Sequence, residues 1–397
     1  MPGLISVGVL VDVVVVGAGI ALALFVVVIA HQSLVDLVEL RRARIDRTQR
    51  PAVMRAAMTG QLPAALPTTR GRRGRAAERV CYQILPRIRG EAHDRVARIL
   101  MLRGAERREL RASASHSANT RACAALRLGL IASPGAERRL AELLRADRSR
   151  EVRIVAARAL GDSDSPGAAT ALLGAVRHDS LEYGDVEVAA GETDPLEVPD
   201  GIVASSLLAL GTVALPELRE LAATPDDGDI ARRAMAIDLL GLLKGLTSWR
   251  IVAVCLHAGH PAIRLAAARS LGQLGMREPV PALLGCLDPD EMPAIRLTAT
   301  WALGRIRDPD AAGRLGGCLD DRDHLIAHAA GQALAALGEP GRRRLRHAVE
   351  AGQRGAAYAR EALAEAGRSN GSRPPVVQPP AASRPWRIGP PIAGPAR

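Results

Sequence analysis

A leucine that recurs about every 31 residues is the feature that most restricts how this chain can fold. The spacing between successive leucines is 30 to 32 residues, apart from one interval of 50. In most cases glycine follows, and the pair is expected to close a helix at Leu128, Leu160, Leu210, Leu240, Leu271, Leu303 and Leu334. A period of this length, without alternating strand patterns, is typical of helix pairs that stack on one another. The sequence therefore predicts an all-α fold.

Three further positions keep the same period and divide each unit into two helices. An arginine lies seven residues before the leucine, two helical turns back on the same face, at Arg121, Arg153, Arg233, Arg264 and Arg296. A proline six residues after the leucine suits the first turn of the next helix. An aspartate thirteen residues before the leucine is expected in the turn within each pair, at Asp147, Asp227, Asp290 and Asp321. We predict that these charges form a structural ladder that connects neighbouring units.

Three segments show the pattern most completely, with the arginine and Leu-Gly in all three and paired alanines in the first two. They are residues 151–162, 262–276 and 294–307. These segments resemble the bacterial HEAT-like repeat of the phycobilisome-lyase type, and the resemblance covers about residues 90–367. It implies a right-handed α-solenoid of HEAT-like helix pairs, which we place at residues 80–367. Surfaces built by stacked repeats generally bind extended or helical protein segments.

The N-terminal segment has the length and composition of a membrane span. Residues 13–30 carry no charge, and eighteen helical residues extend about 27 Å, close to the thickness of a bilayer core. Residues 13–20 also resemble the start of a dinucleotide-binding fold, but Leu22 occupies the third glycine position and no second βα unit follows. A cleaved signal peptide is a further alternative, although no basic region precedes the apolar run. We predict a single transmembrane helix over residues 4–30.

Charge is divided unevenly along the chain and predicts the orientation in the membrane. Eleven arginines lie in residues 41–79, whereas residues 1–40 contain no Lys or Arg. The positive-inside rule therefore places the N-terminus outside the cell membrane and the repeats in the cytoplasm. The repeat body at residues 112–367 holds 29 basic and 33 acidic residues, so nucleic acid is not favoured as a partner despite the net charge of +11.

The chain around the repeats divides into three further segments. Residues 31–58 are predicted as a juxtamembrane amphipathic basic helix, whose arginines could attract anionic lipid or act only as a topology determinant. Residues 59–79 are predicted as a linker, and residues 368–397, rich in Pro and Arg, as a disordered tail.

The interval of 50 residues contains an acidic insertion in the turn between the two helices of one pair. Residues 178–200 include eight acidic residues and no Lys or Arg. The acidic residues are Asp179, Glu182, Asp185, Glu187, Glu192, Asp194, Glu197 and Asp200. We regard them as a candidate partner-binding loop for a basic protein segment, with a solvated loop as the alternative.

No motif for catalysis or for a cofactor accompanies the repeat. The sequence has no P-loop, HExxH or CxxC pattern, and none of its nine histidines precedes Glu as in HEAT-repeat di-iron hydroxylases. We therefore predict no cofactor and no metal. Cys255, Cys286 and Cys318 recur with the repeat and are expected to be buried packing positions.

The function predicted from the sequence is a membrane-anchored scaffold that presents a HEAT-repeat surface to an unknown protein partner at the cytoplasmic face. The alternatives are a non-catalytic accessory or regulatory subunit of a membrane enzyme complex, and a lyase-type HEAT enzyme.

Overall fold

The computed structural model describes residues 24–29, 31–32, 44, 46–60, 71–163, 165–176, 182–183, 186–187, 196–225 and 230–368. The chain divides into two compact units, Met1–Arg108 and Glu109–Arg397. Apart from turns and one pair of two-residue strands, the described residues are helical. The predicted all-helical class is confirmed for this part of the chain.

The first unit is built from short helices with small buried side chains. Residues 46–59 form a helix, followed by α1 (Gly71–Ile84) and α2 (Glu91–Leu102). A 3₁₀ turn, Leu85–Arg87, separates α1 and α2. Helix α3 (Ala105–Ala112) crosses the boundary between the units.

The predicted linker at residues 59–79 is wrong from Gly71 onward, where helix α1 begins. Its glycines and arginines suggested a mobile chain. Ala76, Ala77 and Val80 nevertheless share one helical face and are at most 1% exposed. This apolar face holds the segment in the fold, because burying apolar surface is the main source of helix stability in proteins.

The second unit begins with α4 (Ala118–Ile131) and continues with seven helix pairs, each made of an A helix and a B helix. The pairs are α5 (Pro134–Ala146) with α6 (Arg150–Gly161), α7 (Pro166–Leu173) with α8 (Asp200–Leu210), α9 (Leu215–Ala223) with α10 (Ile230–Leu242), α11 (Trp249–Cys255) with α12 (Pro261–Leu274), α13 (Val280–Gly285) with α14 (Pro293–Ile306), α15 (Ala312–Cys318) with α16 (His324–Ala336), and α17 (Glu339–Glu350) with α18 (Ala356–Arg368). Short 3₁₀ turns at Gly211–Ala214, Leu246–Ser248 and Pro309–Ala311 precede three A helices. The strands β1 (Glu182–Tyr183) and β2 (Val186–Glu187) lie between α7 and α8.

The repeated Leu-Gly pair fixes the contact between successive B helices. All seven repeat leucines are at most 5% exposed. A Cβ added to Gly129 would lie 2.7 Å from Ala159 Cβ on the next B helix, and one added to Gly272 would lie 2.7 Å from Ala302 Cα. The expectation that Leu-Gly closes the helix is wrong in α4, α12 and α14, which continue for two residues beyond the glycine, and in α10, which continues for one. In α4, α10 and α12 glycine occurs because a side chain would separate the stacked helices.

The predicted proline register is confirmed in the structure. Pro134, Pro166 and Pro309 occupy the first position of their helices, and Pro216 and Pro340 the second. No intrahelical hydrogen bond requires the N–H group that proline lacks at these positions.

The three cysteines that recur with the repeat period are buried, as the sequence predicts. Cys255, Cys286 and Cys318 are 2–7% exposed, and Cys81 in the first unit is fully buried. Burial raises the pKa of the Cys81 thiol to about 12 and that of Cys286 to about 11. Only Cys123 among the five is exposed.

One helical stretch of the described chain, Asp200–Ala223, is long and apolar enough to cross a membrane, with a mean hydropathy of 1.6. It includes Leu207 and Leu218, which are fully buried in the repeat core. The predicted span at residues 4–30 lies largely outside the described residues. Within it, residues 24–29 are helical, and their six apolar side chains are 46–64% exposed.

Candidate partner-binding site

The acidic insertion leaves the repeat after α7 and returns at α8, between an A helix and its B helix as predicted. Its short strands pair antiparallel, with Glu182 opposite Glu187 and Tyr183 opposite Val186. Four of the candidate acidic residues, Asp179, Asp185, Glu192 and Asp194, lie outside the described residues. Glu197 is described, and Asp200 is the first residue of α8.

Residues 196–200, which we call the insertion root, are fastened to α6. Arg150 Nε donates to the Glu197 carbonyl at 2.9 Å, and Arg153 Nη1 donates to the Leu196 carbonyl at 3.2 Å. Arg153 Nε also donates to the Asp147 carbonyl at 2.6 Å. The predicted ladder residue Arg153 therefore connects the insertion root to the turn before its own helix.

A cavity of about 370 Å³, which we call the root groove, opens beside the insertion root. Its apolar lining includes Leu144 of α5, Ala175 after α7 and Val198 of the root. Charged side chains of both signs also line it, namely Arg138, Arg145 and Arg153 with Glu142 and Glu197. An apolar surface with a few charged groups of both signs is suited to bind a peptide segment that presents one apolar and one charged side chain.

Two carboxyl groups of the root lie close together in a partly dry environment. Burial, and then the charge of Glu197, raise the pKa of the Asp200 carboxyl to about 6. Glu197 Oε1 and Asp200 Oδ2 are inaccessible to solvent and accept no hydrogen bond within the described part of the chain. Leaving a buried acceptor unsatisfied costs about 1–3 kcal/mol.

Two of the predicted arginine and aspartate positions pair between neighbouring repeats and so form part of the structural ladder. Arg121 of α4 donates to both oxygens of Asp147 at 2.8 and 2.7 Å, and the two side chains are 6% and 4% exposed. Burial acts to raise the pKa of the Asp147 carboxyl, but the hydrogen bonds from Arg121 and the Ser149 N–H, together with the charges of Arg121 and Arg148, outweigh it and hold that pKa below its usual value. Arg296 and Asp321 form the second pair, from α14 to the turn before α16.

The other predicted ladder positions differ from this pattern. Arg264 Nη2 donates to Glu291 at 2.9 Å, so the choice of Asp290 was wrong by one residue. The turn between α13 and α14 is longer than the turns before α6 and α16, which supply Asp147 and Asp321, and it presents the next carboxylate to the arginine. Arg233 Nε donates to the Ala222 carbonyl at 3.2 Å, and its predicted partner Asp227 lies outside the described residues.

One buried ion pair was not found from the sequence. Arg269 Nη1 of α12 donates to Asp238 Oδ2 of α10 at 2.6 Å, and the side chains are 5% and 2% exposed. The position of Asp238 inside the apolar segment AMAIDLLGL is a signal that could have indicated it, because a lone buried carboxylate requires a partner.

No metal-binding cluster of three or more His, Cys, Asp or Glu occurs in the described ranges. His328 on α16 lies 3.5 Å from Glu361 and 3.1 Å from Gln332 Nε2. This histidine therefore takes part in contacts within the fold.

Residues 107–188 and 250–335 match the HEAT-repeat family. No curated protein matches the sequence. Human deoxyhypusine hydroxylase in complex with glycerol is similar at 18% identity over 76% of this chain and 98% of its own, with a TM-score of 0.29. The complex of CpcE and CpcF of phycocyanin lyase from Nostoc is similar at 20% identity over 61% of this chain and 92% of its own, with a TM-score of 0.29. Kap121p bound to Nup53p reaches a TM-score of 0.46 at 13% identity, over 72% of this chain and 34% of its own. These scores are too low to support any conclusion about activity.

Proposed function

We propose that this HEAT-like repeat protein is a membrane-anchored interaction scaffold, which binds a basic segment of a partner protein at the root groove and the acidic insertion. HEAT repeats suggest a scaffold for protein interactions. Each repeat buries its apolar face against its neighbours, and the remaining surface is available to partners. The observation that carries the proposal is the insertion root, where an acidic segment is fastened to the repeat beside a groove.

The charge of the insertion defines the partner chemistry. Residues 178–200 contain eight acidic residues and no Lys or Arg, so a segment rich in Lys or Arg is the complementary ligand. Such complementarity mainly raises the association rate and selects against acidic partners. The apolar lining of the root groove would then hold a small apolar side chain of the same segment.

The membrane anchor is the second part of the proposal. It is supported by the uncharged run at residues 13–30, by the exposed apolar side chains at residues 24–29, and by the arginines that follow. The same arginines favour the cytoplasmic side for the repeats. Extraction of membranes with alkaline carbonate tests this part, because an integral protein stays in the pellet. Release of the full chain into the supernatant would refute the anchor.

In-membrane crosslinking tests the partner site. The full chain is compared with a variant that lacks residues 178–195, which keeps the insertion root, and with a control that lacks residues 378–397 of the tail. We expect the partner crosslink to disappear only in the first variant. A crosslink that persists without residues 178–195 would refute the role of the insertion. Co-purification of a defined enzyme in mild detergent would instead favour the accessory-subunit alternative.

A further inference from the structure

The helix at residues 46–59 has two faces of different chemistry. Val53, Ala56 and Ala57 are 0–3% exposed and belong to the core of the first unit. Met54 is 38% exposed and Met58 is 75% exposed, although both are large apolar side chains. Because residues three and four apart share a helical face, these methionines lie together on the side away from the core.

Two contacts to the rest of the first unit fix which face points outward. Arg79 Nη2 lies 2.6 Å from Asp46 Oδ1 near the start of the helix. Arg95 Nη1 donates to the carbonyls of Ala57 and Met58 at 3.2 and 3.3 Å near its end. The helix is therefore held at both ends, and the methionine face cannot rotate inward without breaking these contacts.

Arginines accompany the exposed methionines on the outward face. Arg47 and Arg55 are exposed and fall on the same face as Met54 and Met58, and Arg44, two residues before this helix, is exposed as well. Asp46 is the sole carboxylate among residues 46–60, and it is paired with an arginine of α1. The outward face thus combines positive charge with apolar side chains, the composition of a helix that lies in a membrane interface.

The distance along the chain allows this face to reach the membrane. Arg44 follows residue 30, the end of the proposed span, by fourteen residues. Such a segment extends about 20 Å as a helix and at most about 50 Å when stretched. Both lengths permit contact with the headgroup layer.

We propose that this face, defined by Arg47, Met54, Arg55 and Met58, docks together with the preceding Arg44 on anionic lipid headgroups at the cytoplasmic surface. The inference rests on the proposed anchor and adds to it a lipid contact for the first unit. The arginines bind phosphate and carboxylate groups of the lipids, while the methionine side chains enter the boundary of the acyl chains. Each arginine near an anionic surface changes the docking equilibrium about fivefold, so the three together change it about 100-fold.

A fluorescent label at residue 58 tests the contact in the full chain. In a Cys123→Ser background the four remaining cysteines are buried, so Met58→Cys is the accessible thiol among the described residues. The labelled protein is placed in nanodiscs of neutral lipid or of neutral and anionic lipid mixed. We expect a blue shift of emission in the anionic discs, which high salt reverses because it screens the charges. The emission of a label at the exposed residue 83 of α1, introduced as Gln83→Cys, should be the same in neutral and anionic discs.

Substitution of the charges separates docking from anchoring. The triple variant Arg44→Gln, Arg47→Gln and Arg55→Gln should lower the ratio of docked to undocked protein about 100-fold. The control triple variant should keep the shift; it replaces three exposed arginines of the second unit, Arg322, Arg343 and Arg354, with Gln.

The outcomes distinguish the two claims. Protein that enters nanodiscs but shows equal emission in neutral and anionic lipid would overturn the lipid contact alone. Protein that does not enter nanodiscs would overturn the anchor and this inference together.

Discussion

The Gly272→Ala substitution should destabilise the repeat, although alanine favours helices more than glycine does. The added methyl group would lie 2.7 Å from Ala302 Cα and 2.9 Å from a ring carbon of Trp301. Ordinary carbon contacts are about 3.5–4.0 Å. Since the nearest atom belongs to the backbone of α14, the two B helices would have to move apart by about 1 Å.

The expected magnitude follows from two opposing terms. Overpacking costs about 1–3 kcal/mol, and contact with backbone places this site at the upper end. Replacing a helical glycine by alanine contributes about 1 kcal/mol in the opposite direction. We therefore expect a net loss of about 2 kcal/mol in the free energy of unfolding. In Gly317→Ala, where nothing lies within 4 Å of the added Cβ, only the favourable term remains.

Urea unfolding of the reconstituted full chain measures both variants. Trp301 is 2% exposed and lies at the altered contact, so its fluorescence reports unfolding where the substitution acts. The two variants should move the midpoint in opposite directions, and together differ by about 3 kcal/mol. If Gly272→Ala stabilises the protein as much as Gly317→Ala does, the close contact between B helices is refuted.

Three further predictions concern charge and thiol chemistry. Arg121→Met should lower the free energy of unfolding, measured in urea, by about 3–5 kcal/mol, because it leaves the buried Asp147 carboxylate unpaired. A smaller loss in the double variant Arg121→Met with Asp147→Leu would show that the isolated charge is the cause. Because the pKa of Asp147 is lowered in the folded state, the contribution of this pair is present above the unfolded pKa and is lost as the pH falls through the folded pKa. The pKa of Asp200 is raised from 3.8 to about 6, so stability should fall by at most about 3 kcal/mol as the pH rises through this window. Asp200→Asn should abolish that slope, and an unchanged slope in pH-dependent unfolding would contradict the assignment. Under native conditions a maleimide should modify Cys123 alone, as judged by mass spectrometry of peptides, whereas rapid labelling of any of the four buried cysteines would contradict their burial.

Local rules explain what the sequence predicted correctly. The proline register follows from the fixed φ of one residue and the missing N–H, and it requires no knowledge of neighbours. The burial of Cys255 and its counterparts follows in the same way from the period itself, because equivalent positions in stacked repeats have equivalent surroundings.

Contacts between segments explain what the sequence missed. The helix at Gly71–Ile84 depends on burial of Ala76 and Ala77, which composition alone does not reveal. The role of Gly272 depends on how closely the next B helix approaches, and a glycine near the end of a helical pattern suggests a terminus instead.

The root groove could not be predicted from sequence for the same reason. It is lined by parts of α5, α6, the end of α7 and the insertion root, which come together only in the fold. The sequence indicated the charge of the insertion, and the structure adds the surface to which its root is fastened.

Photocrosslinking from the root groove is the most direct test of the account. A photoreactive side chain replaces Arg145 at the groove, and a control replaces Val254 of α11, which is 71% exposed and outside the groove. We expect a crosslink to one partner protein from position 145 that is absent from position 254 and is lost when residues 178–195 are deleted. Equal crosslinks from both positions, or a crosslink from position 145 that survives the deletion, would contradict the claim that this protein binds its partner at the insertion root.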